Sequence, residues 1–286
     1  MIFFVHKKFF IAVFAVMVMI SPPVCFAQDA KQVPEDKVTG EAAVSVLSAY
    51  IWRGQELTRH SAVIQPSATI SYKGFSANIW GNLDTNPYSA GNNEYSANLT
   101  ETDITLAYSI ALGKLRAGAG YIYYALAAPY AGGTDPLDSQ EVFVSLGLDT
   151  ILAPTLTIYK EIDHYHQWYA LFGVSHVFQF TEMIGLKLAA TASYLKSDEA
   201  ATYPEFDANA LPTTDKYNNF HDATVSVALP LTLTKNLTVT PMATYVFPLC
   251  DDAKYEMKGR GLQGTALPFD RKSSFLYGGF TASFAF

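Results

Sequence analysis

The chain has 286 residues, of which 50% are hydrophobic, 14% aromatic and only 16% charged, whereas an ordinary soluble domain carries about 25% charged residues. This excludes a disordered polymer, which needs low hydrophobicity and high net charge, and with two cysteines the chain is no disulfide scaffold. Asp and Glu number 26 against 19 Lys and Arg, giving a formal charge of −7, the wrong sign for a nucleic-acid partner.

Residues 1–27 read as a secretory signal peptide. Lys7 and Lys8 precede an apolar run from Phe9 to Ile20, Ser21-Pro22-Pro23 breaks it, and Cys25-Phe26-Ala27 places small residues for cleavage. The run is too short for a membrane-spanning helix, which needs about 20 residues. The leader carries two lysines and no acid, so cleavage takes the formal charge from −7 to −9 and leaves Cys250 without a disulfide partner. Residues 28–40, with Lys31, Pro34, Glu35, Asp36 and Lys37, read as a short polar periplasmic tail.

From residue 41 to 286 the chain alternates apolar and polar. Ile64, Pro66, Ala68, Ile70 and Tyr72 share one face against Gln65, Ser67, Thr69, Ser71 and Lys73. After a Lys73-Gly74 turn, Phe75, Ala77, Ile79, Gly81 and Leu83 oppose Ser76, Asn78, Trp80, Asn82 and Asp84. Period two over about ten residues is a half-exposed strand, long enough to cross a bilayer when tilted. Twelve strands are expected, at 43–53, 63–73, 75–85, 99–110, 115–126, 140–150, 155–163, 168–178, 185–196, 221–230, 236–247 and 275–286. Short turns alternate with longer connections at 54–62, 86–98, 127–139, 164–167, 197–220 and 248–274, and Asn86-Pro87, Gly91-Asn92-Asn93, Gly132-Gly133 and Gly259-Arg260-Gly261 fall in the longer set. An apolar exported chain without a spanning helix must bury its apolar side chains or show them to lipid as a closed barrel. The expected fold is therefore all-β: a transmembrane antiparallel up-and-down barrel in the bacterial outer membrane, with short periplasmic turns and long extracellular loops.

The end of the chain sharpens this. Phe280, Ala282, Phe284 and Phe286 lie on one face of the last strand, and the terminal aromatic resembles the signal by which the barrel assembly machinery receives outer-membrane proteins. Tyr50, Trp52, Tyr88, Trp168, Tyr169, Tyr245 and Phe247 are expected near the outer strand ends, and Tyr72, Phe75, Phe178 and Phe286 near the inner ends. They would form aromatic girdles in outer-membrane lipid.

Two segments carry a family resemblance. Tyr50-Ile51-Trp52-Arg53-Gly54 is followed by Gly74-Phe75-Ser76-Ala77-Asn78-Ile79-Trp80-Gly81-Asn82-Leu83-Asp84. This order, over residues 44–85, resembles the TorF-type porin family, also called the Gcw_chp conserved hypothetical exported proteins. Ser76 and Ala77 stand where Tyr and Gly are more usual in that family. The resemblance implies an outer-membrane porin of unspecified solute.

The candidate pore-lining and rim residues are Arg53, Asp84, Glu101, Asp103, Glu141, Glu161, Asp163 and Asp222. They sit on polar faces of outer strand halves, and barrel interiors alternate with the lipid face. Two arrangements are open. The carboxylates could ring a constriction that prefers cations or neutral solutes, with Arg53, Arg116 and Lys187 as the few inward cations. Alternatively Arg53 pairs with Glu101 or Asp103 and closes the barrel, whose long loops then work as an interaction surface.

Enzymatic and metal chemistry find little support. His164 and His166 share a strand face beside Asp163, but two local ligands fall short of the three or four a metal needs, and no cofactor is expected. No His-x-Ser of the kind carried by barrel phospholipases occurs. The adjacent pairs Asp163-His164 and His221-Asp222 should point to opposite faces of a regular strand.

Overall fold

A computed structural model describes residues 37–58, 61–86, 97–128, 134–265 and 267–286. The expected leader 1–27, most of the tail, Tyr88, Gly91-Asn92-Asn93 and Gly132-Gly133 lie outside these. Among the described residues, twelve long strands form one closed antiparallel ring. They are β1 (Thr39–Leu47), β2 (Val63–Tyr72), β3 (Phe75–Asp84), β4 (Asn98–Leu112), β5 (Leu115–Leu126), β6 (Ser139–Leu148), β7 (Thr155–Glu161), β8 (Gln167–Gln179), β9 (Gly185–Ser197), β10 (Asn218–Ala228), β11 (Leu237–Pro248) and β12 (Phe275–Ala285). Each pairs with its neighbours in the chain. The ring closes where β1 pairs with β12, Val44 standing opposite both Pro66 of β2 and Ala282 of β12.

The alternation that builds these strands also sorts their faces. On β6, Glu141, Phe143 and Ser145 are buried while Val142, Val144, Leu146 and Leu148 are exposed. On β4, Ile104, Leu106, Tyr108, Ile110 and Leu112 point outward. A belt of this extent far exceeds the few hundred Å² of apolar surface that a water-facing monomer tolerates. It is a lipid-facing exterior. At the Lys73-Gly74 turn both residues take positive φ, 49° and 85°, the tight hairpin turn whose twist matches that of the flanking strands.

The first strand departs from expectation. The wall begins at Thr39, inside the expected tail, and β1 leaves it at Leu47, well before residue 53. The chain then folds into the barrel as a tight hairpin, Ile51–Trp52 against Gln55–Glu56, turning at Arg53 (φ 46°) and Gly54 (φ 74°). Its neck is held by the Tyr50 amide donating to Thr58 Oγ1 at 2.7 Å. Tyr50 and Trp52 therefore belong to the interior and not to an outer girdle, and Tyr50 packs on Trp80 at 5.5 Å between ring centroids. Tyr169 is likewise buried inside, whereas Trp168, Tyr245, Tyr72, Phe75, Phe178 and Phe286 are exposed on the barrel surface.

The long connections carry structure of their own. Residues 204–216 form a small hairpin, Pro204–Phe206 against Pro212–Lys216. Residues 251–259 form a helix, α1 (Asp251–Gly259), whose N-cap Cys250 accepts through Sγ from the Ala253 amide. The inserted hairpin and α1 meet inside the barrel. A Cβ on Gly54 would lie 2.7 Å from Met257 Cγ. Around them two apolar clusters fill the outer half of the interior: Leu47, Ile51, Trp80, Val246, Met257 and Tyr277 in one, Tyr124, Phe143, Tyr159, Leu195, Tyr203 and Ala253 in the other.

Candidate functional site

The strongest polar feature of the interior is the reach of Arg53 across the barrel. Its two terminal nitrogens donate to the two carboxylate oxygens of Glu141 on β6, each at 2.7 Å. Tyr124 donates to the same carboxylate at 2.8 Å. The guanidinium also lies 4.5, 5.0 and 4.3 Å from the ring centroids of Trp52, Tyr159 and Tyr169, a geometry in which the aromatic quadrupole attracts the cation. The partner is thus neither Glu101 nor Asp103, and it does not come from a neighbouring strand. The reason is that residue 53 leaves the wall: a turn projecting into the lumen reaches the far side, which a residue on β1 could not do.

A second buried network ties α1 to the wall. His221 lies 2.9 Å from Asp222 Oδ1 through Nδ1 and 2.9 Å from Glu256 Oε2 through Nε2. Arg260 Nε is 3.1 Å from Glu256 Oε1, and its guanidinium stacks on Tyr203 at 4.0 Å. His221 and Asp222 point to the same side, contrary to strict alternation, because the β9–β10 ladder slips here: Ala192 faces Ala223 but Tyr194 faces Phe220. Such a bulge sets two consecutive residues against one and re-aims a side chain. Tyr169 and Ser193 donate to Asp222 at 2.9 and 2.8 Å. With a carboxylate at each ring nitrogen, His221 keeps no lone pair for use as a base on Ser193.

The remaining candidates separate by role. Glu161 accepts four backbone amides, from Asp163, His164, Tyr165 and His166, and so organises the outer turn between β7 and β8. That turn, and not a strand, holds Asp163, His164 and His166. Asp163 there accepts from Gln140 at 3.0 Å and lies 3.2 Å from His164, so this adjacent pair also meets. Asp84 accepts from the Ser61 hydroxyl and the Asn86 amide. Glu101 and Asp103 stand side by side on the inward face of β4, both buried. The eight residues therefore do not form one ring. Arg53 and Glu141 make a bridge, Asp222 joins the anchor of α1, Glu161 and Asp84 hold loops, and Glu101 and Asp103 remain as a carboxylate pair.

Sequence reasoning missed Glu256, Tyr203 and Arg260. A signal was present: Ala253, Glu256 and Met257 recur at helical spacing after Pro248 and are the buried face of α1. Beneath the inserted hairpin lies a cavity of ≈ 100 Å³, roofed by Ile51, Arg53 and Gly54. Its lining is mainly apolar, including Leu171, Met242, Val246 and Tyr277, with hydroxyls from Thr155, Thr191 and Ser226 and with Lys187 and Asp222 as charges.

No family model and no curated protein matches the chain. Among solved structures it is similar to the NanC porin, at 9% identity and a TM-score of 0.46 over 86% of this chain and 98% of that one. It is also similar to an outer membrane channel from Pseudomonas putida F1, at 8% identity and 0.45 over 91% and 100%. An anion-selective porin from Comamonas acidovorans gives 11% identity and 0.32 over 87% and 99%. Likenesses this distant say nothing of a solute or a site.

Proposed function

We propose that this protein is an outer-membrane channel for small solutes, closed in the described state by its own first loop. The observation that carries the reading is the bidentate Arg53–Glu141 bridge, which pins the 51–56 hairpin across the lumen above a mainly apolar cavity. The lipid-facing belt supports the membrane location. The terminal Phe286 supports delivery by the barrel assembly machinery: it is exposed, and its backbone pairs with Gly40 at 2.7 and 2.9 Å. Membership of the TorF-type porin family belongs to the same reading, since Tyr50-Ile51-Trp52-Arg53-Gly54 makes up the inserted hairpin.

Passage prefers cations or neutral solutes. Among the described inward residues, the carboxylates Asp84, Glu101, Asp103, Glu141, Glu161 and Asp222 outnumber Arg53, Arg116 and Lys187. An excess of carboxylates in a low-dielectric lumen raises the local concentration of cations by focusing the field. Planar-bilayer recording is the test. The wild type should be quiet or show small steps, and removal of residues 50–57 should give stepwise current with a cation-selective reversal potential at low salt. Silence of both proteins, with their gel mobility still heat-dependent, would refute the channel. It would favour the second reading, a closed interaction barrel, for which the packed apolar clusters around α1 speak.

A further inference from the structure

The outer wall carries a basic row at the upper edge of the apolar belt. Trp168 on β8 stands directly opposite Lys160 on β7 and Lys196 on β9. All three point away from the lumen, since their neighbours Tyr159, Glu161, Gln167, Tyr169, Leu195 and Ser197 are buried inside. Lys160 Nζ lies 5.1 Å from the Trp168 ring centroid and 2.5 Å from Asp198 Oδ2. Lys196 and Lys216 add to the positive field on Asp198, whose carboxyl is held below its usual range, first by the Lys160 hydrogen bond. Three lysines thus act on this one aspartate, on a chain of formal charge −7, while the neighbouring Glu199 turns to His166 Nε2 at 4.0 Å. Next below this row, toward the membrane, the outward positions become apolar or aromatic: Ile158, Ala170, then Phe172, with Tyr194 against Phe220 at 5.4 Å.

We infer that Lys160, Lys196 and Lys216, with Trp168 between the first two, form a binding site for the phosphorylated headgroup of an outer-leaflet glycolipid, whose acyl chains lie along the apolar wall below. This rests on the outer-membrane reading. The charge is complementary to phosphate, and it sits at the depth where headgroup meets hydrocarbon, the level favoured by Trp and by lysines whose stems lie along apolar surface. Asp198 orients Lys160, which leaves Lys196 and Lys216 to meet the phosphate. A basic residue near an anionic lipid surface contributes on the order of 1 kcal/mol, about fivefold in retention.

The purified full chain in detergent, analysed by native mass spectrometry after addition of bisphosphorylated lipid A, tests the site. The wild type should retain that lipid and lose it when the phosphates are removed from the lipid. The triple variant Lys160→Gln, Lys196→Gln, Lys216→Gln should retain on the order of a hundredfold less. The variant Lys254→Gln, Lys258→Gln, Lys272→Gln, with the same loss of charge elsewhere on the outer side, should keep wild-type retention. Equal retention by the first triple variant, equal loss by both, equal retention of dephosphorylated lipid, or displacement of the lipid by millimolar inorganic phosphate would each overturn the inference. Heat-dependent gel mobility confirms that each variant is folded. Fractionation of the cell envelope tests the membrane location separately, so failure of the site and failure of the location are told apart.

Discussion

At the scale of single residues, the interior depends on charges that have partners. Arg53 and Glu141 are both buried, and removing one partner of such a pair leaves the other charge stranded, at about 3–5 kcal/mol. Arg53→Ala and Glu141→Ala should therefore each lower the temperature at which the folded barrel loses its compact gel mobility. Arg53→Met with Glu141→Leu should recover much of that loss, because two apolar side chains strand no charge. Arg53→Lys should fail to rescue, since an ammonium cannot reproduce two parallel donors or lie flat on three aromatic rings. Gel-shift melting of the four variants checks all of this.

Among the elements, the two inserted segments support each other. Gly54 combines a φ of 74° with an approach that a Cβ would bring to 2.7 Å of Met257 Cγ. Gly54→Ala is therefore strained both by its backbone and by its contact. It should loosen the hairpin from α1 by about 1–3 kcal/mol, read as faster proteolysis within residues 48–58 while the β1–β12 wall stays protected. The outer loops obey electrostatics of their own. The Asp138 carboxyl is held below the usual range, first by the Tyr123 hydroxyl and next by the Leu126 amide. A depressed carboxylate stabilises the fold above its unfolded value, and that contribution disappears as pH falls through the folded one. Exchange of the Leu126 amide, corrected for intrinsic rate, should therefore rise as pH drops below about 4. The rise should be absent in Asp138→Asn.

For the whole molecule, closure of the ring and packing of its interior are separate achievements. The ladder from β1 through β12 leaves no free edge, the only way a sheet can satisfy its backbone in lipid. The wall should therefore survive loss of the plug. A protein lacking residues 50–57 should remain heat-modifiable on a denaturing gel and keep its β-type circular dichroism, with a lower transition temperature. Loss of the compact band would show that the interior core and not the ladder holds the barrel. Deleting Phe286 belongs to this scale too: outer-membrane assembly should fall while export continues, as cell fractionation would show.

The wall was legible in the sequence because a half-exposed strand writes its period into every second residue. Twelve strands, the Lys73-Gly74 turn and the outward Phe280, Phe284 and Phe286 follow from local pattern alone. Local pattern could not say where Arg53 goes. Read along the chain, the alternation of β1 runs on through Ile51 and Arg53, yet the strand ends at Leu47 and the following residues form a hairpin inside the lumen, turning at Arg53 and Gly54 with positive φ. The partner Glu141 lies 88 residues away and is chosen only by closure of the ring. In the same way, the bulge that turns His221 and Asp222 to one side is set by their pairing with β9, and the burial of Glu256 by the docking of α1. Period is a property of the chain, whereas a partner across a lumen exists only once the lumen does.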